Sequence, residues 1–204
     1  MLGLDPLVVV VTFAALLLAA TVHEYAHALI ADRLGDPTPR LHGRLTLNPL
    51  AHLDLLGTLM LLLVGFGWAK PVPINPHNFP DWRRGQLLVA AAGPLANVTV
   101  MFLLGSLFKA HLVEALPPLL FRLIAQAIWV NGILAVFNLI PVPPLDGSRI
   151  LEGLLPGRYA FWISRLQPYG ILVFIVLVYT GFVGAFLRPL VRMLVALATG
   201  VIGS

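Results

Sequence analysis

No charged residue interrupts the chain between residues 7 and 22, and apolar residues continue with few breaks to residue 31. A helix of that length, at about 1.5 Å per residue, crosses a hydrocarbon core of about 30 Å. An uncharged surface this long cannot be exposed to water on a small domain. Similar runs follow at residues 86–108, 116–139 and 168–187, the second of them broken only by Arg122. Only 11% of the 204 residues are charged, against about 25% in a typical soluble domain. With 59% hydrophobic residues, the chain lacks the polar surface to coat a water-facing globule, so much of its outside must face lipid. The expected fold class is an all-α polytopic membrane protein of about four to six transmembrane helices, organised as a single domain over residues 1–204.

Shorter features sit between the runs. Residues 53–67 are apolar but short for a full crossing, which predicts a re-entrant helix. Over residues 40–47, Leu41, Gly43, Leu45 and Leu47 alternate with Arg40, His42, Arg44 and Thr46. That two-residue period predicts a strand in a small membrane-associated hairpin or sheet. Pro71, Pro73, Pro76 and Pro80 punctuate a loop. Trp68, Trp82, Trp129 and Trp162 suit the aromatic belt of a bilayer interface.

The net charge of +4 does not suggest nucleic acid, because the basic residues lie in short loops between apolar runs. No Lys or Arg precedes residue 7, whereas Arg33, Arg40 and Arg44 follow the first run. Basic flanks stay cytoplasmic. If residues 53–67 dip in and return, Lys70, Arg83, Arg84, Arg149, Arg158 and Arg165 fall on that same side. The expected location is the cell membrane, with the end of the first helix towards the cytoplasm. Cysteine is absent, which removes disulfides and thiolate ligands.

The chemistry concentrates in His23-Glu24-Tyr25-Ala26-His27. Helix positions four apart share a face, so His23 and His27 can grip one zinc ion while Glu24 reaches a water beside it as a general base. Ionisable residues in a membrane helix are expensive and functional by default. His23 lies ~24 Å along the helix from Leu7, close to the cytoplasmic boundary. A catalytic zinc takes three protein ligands and keeps one position open. Without cysteine the third must be His, Asp or Glu. Asp146, between the rigid Pro141-Val142-Pro143-Pro144 segment and Gly147, is the best candidate. Its other reading is an N-cap for the helix that follows. Asn97 and Asn138 are either interhelical hydrogen-bonding residues or part of the site, and Asn131 shares a face with Asn138. Gly93 and Pro94 read as close packing and a kink. His42 and His52 are spare imidazoles on the same side.

These residues together resemble the site-2 protease family of intramembrane zinc metalloproteases. The resemblance rests on His23-Glu24-Tyr25-Ala26-His27, on Ala92-Gly93-Pro94-Leu95-Ala96-Asn97, and on residues 138–147, and it extends from about residue 7 to 187. It implies one zinc ion per chain on His23, His27 and Asp146, with Glu24 as catalytic base and Asn97 and Asn138 lining or bracing the site. It also implies a transmembrane protein substrate cut within the lipid bilayer. Family members often carry a PDZ or CBS domain, for which 204 residues leave no room. The competing class is a membrane protein that transports or senses a metal with the same ligands. Such a protein has no need of a base beside His23 and usually shows paired half-repeats, and none is visible.

Overall fold

The structure is a computed structural model, and it describes residues 5–64, 67–156, 165 and 167–201. The expectations for Arg158 and Trp162 lie outside these residues. The described helices are α1 (Pro6–Arg33), α2 (Thr38–Leu41), α3 (Leu55–Val64), α4 (Trp82–Lys109), α5 (Pro118–Asn138), α6 (Asp146–Leu154), α7 (Gly170–Tyr179) and α8 (Phe182–Thr199). Three of them, α1, α4 and α5, are long and apolar enough to cross a membrane.

Local chemistry sets the ends of these helices. The Asp5 side chain accepts from Leu7 N and Pro6 occupies the first turn of α1, where a missing N–H costs nothing. At the other end Gly35 takes a left-handed φ of 101° while Asp36 N bonds back to Ala31 O, which satisfies a carbonyl of the last turn. The Asp81 carboxylate caps α4 by accepting from Arg83 N and Arg84 N.

The buried face of α1 carries Val11, Ala15, Ala19, His23, His27 and Ala31, one residue in every four. On α4 the same spacing buries Gly85, Val89, Gly93, Asn97, Met101 and Gly105. Small residues on both stripes let the two backbones approach, the usual way for helices to associate where lipid removes the hydrophobic drive. α5 packs against both, with Val130 against Ala15 and Ala19. α8 closes the other side of α4 and α5 through Val191, Val195 and Ala198, which meet Met101, Ile128 and Val136. The outward faces are apolar, as at Val10 (63% exposed) and Leu103 (64%). That is the inverse of a soluble protein and matches a lipid-facing surface.

Residues 40–47 are not a strand, and no strand occurs among the described residues. Arg40 and Leu41 complete α2, and Gly43 turns the chain at φ 64°. The alternation also fails physically: Leu41 and Leu47 are exposed while Arg44 is 4% exposed. Its guanidinium is drawn inward by backbone carbonyls rather than left in solvent. The run at 168–187 is divided between α7 and α8 by Gly181, which has a left-handed φ of 75°. Residues 188–199 therefore continue a helix packed on α4 and α5.

Candidate metal centre

His23 and His27 reach the site because of their register on the buried stripe of α1, opposite Gly93 of α4. A Cβ built at Gly93 would lie 2.5 Å from His27 Nε2 and 2.6 Å from His23 Nε2. Only glycine leaves space for two imidazoles there. The two rings meet edge-on, with centroids 4.6 Å apart. Asp146 arrives from the first residue of α6, after the bend at residues 140–145. The N-cap position of α6 is Leu145 and Asp146 is the first residue inside the helix, so the N-cap reading does not hold. Instead Asp146 Oδ2 lies 3.1 Å from His23 Nε2 and 3.2 Å from His27 Nε2.

The remote nitrogens of both rings are already committed. His27 Nδ1 sits 2.7 Å from Val89 O, which can only accept. His23 Nδ1 sits 2.7 Å from Asn97 Oδ1. The orientation of that amide is fixed, because Asn97 Nδ2 donates to Ala19 O and to Asn131 Oδ1. Asn131 in turn donates to Ala127 O. Each Nδ1 therefore carries its proton, and each Nε2 presents a lone pair in the neutral ring. Two lone pairs and a carboxylate oxygen converging at about 3 Å repel one another unless a proton or a metal cation lies among them. One ligand atom from each of the three residues falls within 4.8 Å of the others. Zinc bonds of about 2.0–2.2 Å in a tetrahedron hold ligand atoms roughly 3.3 Å apart. The donor set thus fits zinc, with the histidines held by the outer hydrogen bonds such sites require.

Glu24, on the adjacent face of α1, is partly buried and accepts from Val72 N through Oε2 at 3.1 Å. A cavity of about 380 Å³ opens here, lined by His23, Glu24, His27, Asn138 and Asp146 together with polar side chains that include Gln86 and Arg149. Asn138 lines the cavity, but its amide donates to Leu134 O on its own helix. His42 and His52 stay apart from the cluster, bonded to Thr38 O and Thr46 O.

Two charged residues outside the cavity carry more than the sequence suggested. Asp36 is fully buried and accepts from Thr38, Asn75 N and Asn78 Nδ2, tying the loop at residues 75–78 to the end of α1. Burial alone would raise its carboxyl, but these donors hold it below the ordinary carboxylate value. Arg44 donates to Ala51 O and Lys70 O. Burial pushes its guanidinium below the usual value, and the Glu24 carboxylate opposes that shift. The backbone groups Val72 N and Val89 O leave no trace in side-chain patterns. Asn131 was legible only as a polar residue on a membrane helix.

Comparison with known proteins agrees with this chemistry. The model of Peptidase family M50 matches residues 104–180, which include Asn138 and Asp146. "Putative zinc metalloprotease YwhC" of Bacillus subtilis is 40% identical over 183 residues, covering 87% of this chain and 84% of that protein. "Putative zinc metalloprotease Rip2" of Mycolicibacterium smegmatis is 31% identical over 188 residues, 85% of this chain and 68% of that protein. "Zinc metalloprotease MJ0392" of Methanocaldococcus jannaschii is 26% identical over 153 residues, 74% of this chain and 36% of that protein. No solved structure matches the chain significantly.

Proposed function

The chain belongs to peptidase family M50, the site-2 protease family, as a membrane zinc metalloprotease, and from that premise we propose that it cleaves transmembrane protein substrates within the bilayer, using one zinc ion on His23, His27 and Asp146 and Glu24 as general base. The observation that carries this reading is the convergence of two Nε2 atoms and one carboxylate oxygen beside Glu24, with both Nδ1 atoms committed elsewhere.

Zinc bound there supplies a Lewis acid that lowers the pKa of water towards about 7 and polarises a peptide carbonyl. Glu24 does the proton work. Val72 N–H holds Oε2, which leaves Oε1 to accept a proton from the attacking water. The water oxygen forms the new bond to the carbonyl carbon, the C–N bond breaks, and Glu24 delivers its proton to the leaving nitrogen. Asn97 and Val89 O hold the imidazoles in position throughout. Asn138 stands at the cavity wall, where it can contact substrate. The polar lining of Gln86, Arg149, Glu152 and Gln167 offers water a route to residues otherwise shielded by apolar helices. Burial pushes the Glu152 carboxyl up, partly opposed by Arg149 and Arg83.

The site lies at the end of α1 and the start of α4, the end that also bears Arg33, Arg40, Lys70, Arg83, Arg84 and Arg149. The opposite end carries Lys109 and Arg122, with Arg192 of α8 beside Phe108. That asymmetry supports a site on the cytoplasmic side of the cell membrane. A substrate helix must unwind locally there, since its own hydrogen bonds shield its peptide groups. Family membership favours hydrolysis over metal transport.

The test uses purified protein and its Glu24→Gln variant with a panel of single-span substrates. The reading expects stoichiometric zinc in both, with cleavage reduced about 10²–10⁴-fold or more in the variant. Wild-type cleavage by Glu24→Gln would remove Glu24 as the base. Zinc flux across vesicles, unaffected by the substitution, would favour a transporter.

A further inference from the structure

A buried arginine stands behind the catalytic carboxylate without touching the metal ligands. Arg44 is 4% exposed, and a guanidinium is rarely buried without a carboxylate partner within contact distance. Its partners are two backbone carbonyls from different stretches of chain, Nη1 to Ala51 O and Nη2 to Lys70 O. The same two stretches also bond directly, Lys70 N donating to His52 O at 2.8 Å. His52 is itself buried and bonded through Nε2 to Thr46 O at 2.8 Å. Arg44 thus fastens the chain at residue 70 to a turn that is already fixed. Between Lys70 and Val72 stands Pro71, whose ring locks φ and makes the link stiff. Val72 then donates its N–H to Glu24 Oε2.

From this chain of contacts we propose that Arg44 is a positioning residue for Glu24: its guanidinium fork sets Lys70 O, Pro71 transmits that placement, and the Val72 N–H holds one carboxylate oxygen so that the other faces the water. The inference rests on Glu24 being the general base. Arginine is required because its planar fork satisfies two carbonyls at once, whereas a lysine ammonium is a single point donor. The cation also lies close enough for the Glu24 charge to oppose its desolvation. The role is one of orientation, and a displacement of about 1 Å at a reacting group can cost about 100-fold.

The experiment compares the full-length wild-type protein with Arg44→Ala, Arg44→Lys and Glu24→Gln. It measures bound zinc, kcat and KM on a single-span substrate, and amide exchange at Val72 in protein stripped of zinc. The expected result for Arg44→Ala is zinc near one per chain, KM within about threefold, and kcat lowered roughly 10–100-fold. Val72 exchange should accelerate while the amides of α1 keep their protection. Millimolar guanidinium or ethylguanidinium should restore part of kcat in Arg44→Ala and none in Glu24→Gln. Arg44→Lys should recover less than the added guanidinium does. An unchanged kcat in Arg44→Ala overturns the proposal. So does a loss of kcat that tracks loss of zinc or of folded protein, or one that guanidinium does not relieve. If Glu24→Gln cleaves normally, the base assignment fails. If it is inactive while Arg44→Ala turns over normally, only the present proposal falls.

Discussion

Gly93→Ala is a one-carbon change aimed at the point where α4 faces the two imidazoles of α1. The new Cβ would sit 2.5 Å from His27 Nε2 and 2.6 Å from both Cε1 and Nε2 of His23. Ordinary van der Waals contact for such atoms begins near 3.4 Å, so the imidazoles or the helices must move by roughly 0.8–0.9 Å (a shift set by the overlap). The atoms displaced are the two proposed donors themselves. Zinc sites tolerate about ±0.2 Å in ligand distance, so the cage cannot re-form around the methyl group. Zinc affinity should fall at least about 100-fold, or ~2.7 kcal/mol. Overpacking adds a stability cost of about 1–3 kcal/mol. Gly105→Ala is the control on the same stripe of α4, where the new Cβ would meet Ala198 C and O at 2.7 Å. It should lower stability and leave zinc affinity intact. The assay is competition for zinc against a chromogenic chelator, with thermal unfolding in parallel. Gly93→Ala binding zinc at wild-type affinity would refute the reasoning, because the imidazoles would then not meet over Gly93.

Asn97→Ala should weaken zinc binding by about 10–100-fold, the usual cost of losing a hydrogen-bond partner behind a histidine ligand; chelator competition measures it. Asp36→Ala removes the acceptor shared by Thr38, Asn75 and Asn78 and should cost about 2–4 kcal/mol in denaturant unfolding. The pH dependence at Asp36 has a definite sign. Its folded carboxyl lies below the ordinary value, so its stabilisation is complete above the unfolded pKa of about 3.9 and is lost as pH falls through the lower folded value. Asp36→Asn should flatten that acid limb of the stability profile, read from unfolding midpoints at successive pH values. In the intact protein, Asn138→Ala should leave zinc content unchanged, because among the described residues its amide bonds Leu134 O on its own helix, and any loss should appear in turnover.

How much of this was legible in the sequence depended on how local each feature was. The pairing of His23 with His27 is one helical turn and could be read from spacing. So could the three long apolar helices, whose ends carry Asp5, Gly35 and Asp81 as local stop and start signals. Asp146 is separated from His23 by 123 positions, and no periodicity reports a contact of that kind. It could be named only because zinc needs a third donor, cysteine is absent, and the motif order resembles a family. The strand expected at residues 40–47 came from alternation over a few residues, a weak signal that tertiary contacts overrode. Two carbonyls and a left-handed Gly43 decide that segment instead. Gly93 was legible as close packing, but the sequence did not reveal that the packed objects are the imidazoles. Val72 N and Val89 O are backbone groups, which every residue except proline at nitrogen provides, so the sequence marks neither.

Zinc X-ray absorption, measured on the loaded protein and on Asp146→Ala, tests the proposed metal centre most directly. The expected result is one zinc per chain in the wild type, bound by two imidazole nitrogens and carboxylate or water oxygens at about 2.0–2.2 Å, with the oxygen shell altered or the metal lost in Asp146→Ala. A wild-type spectrum without imidazole scattering, or one unchanged by Asp146→Ala, would contradict it.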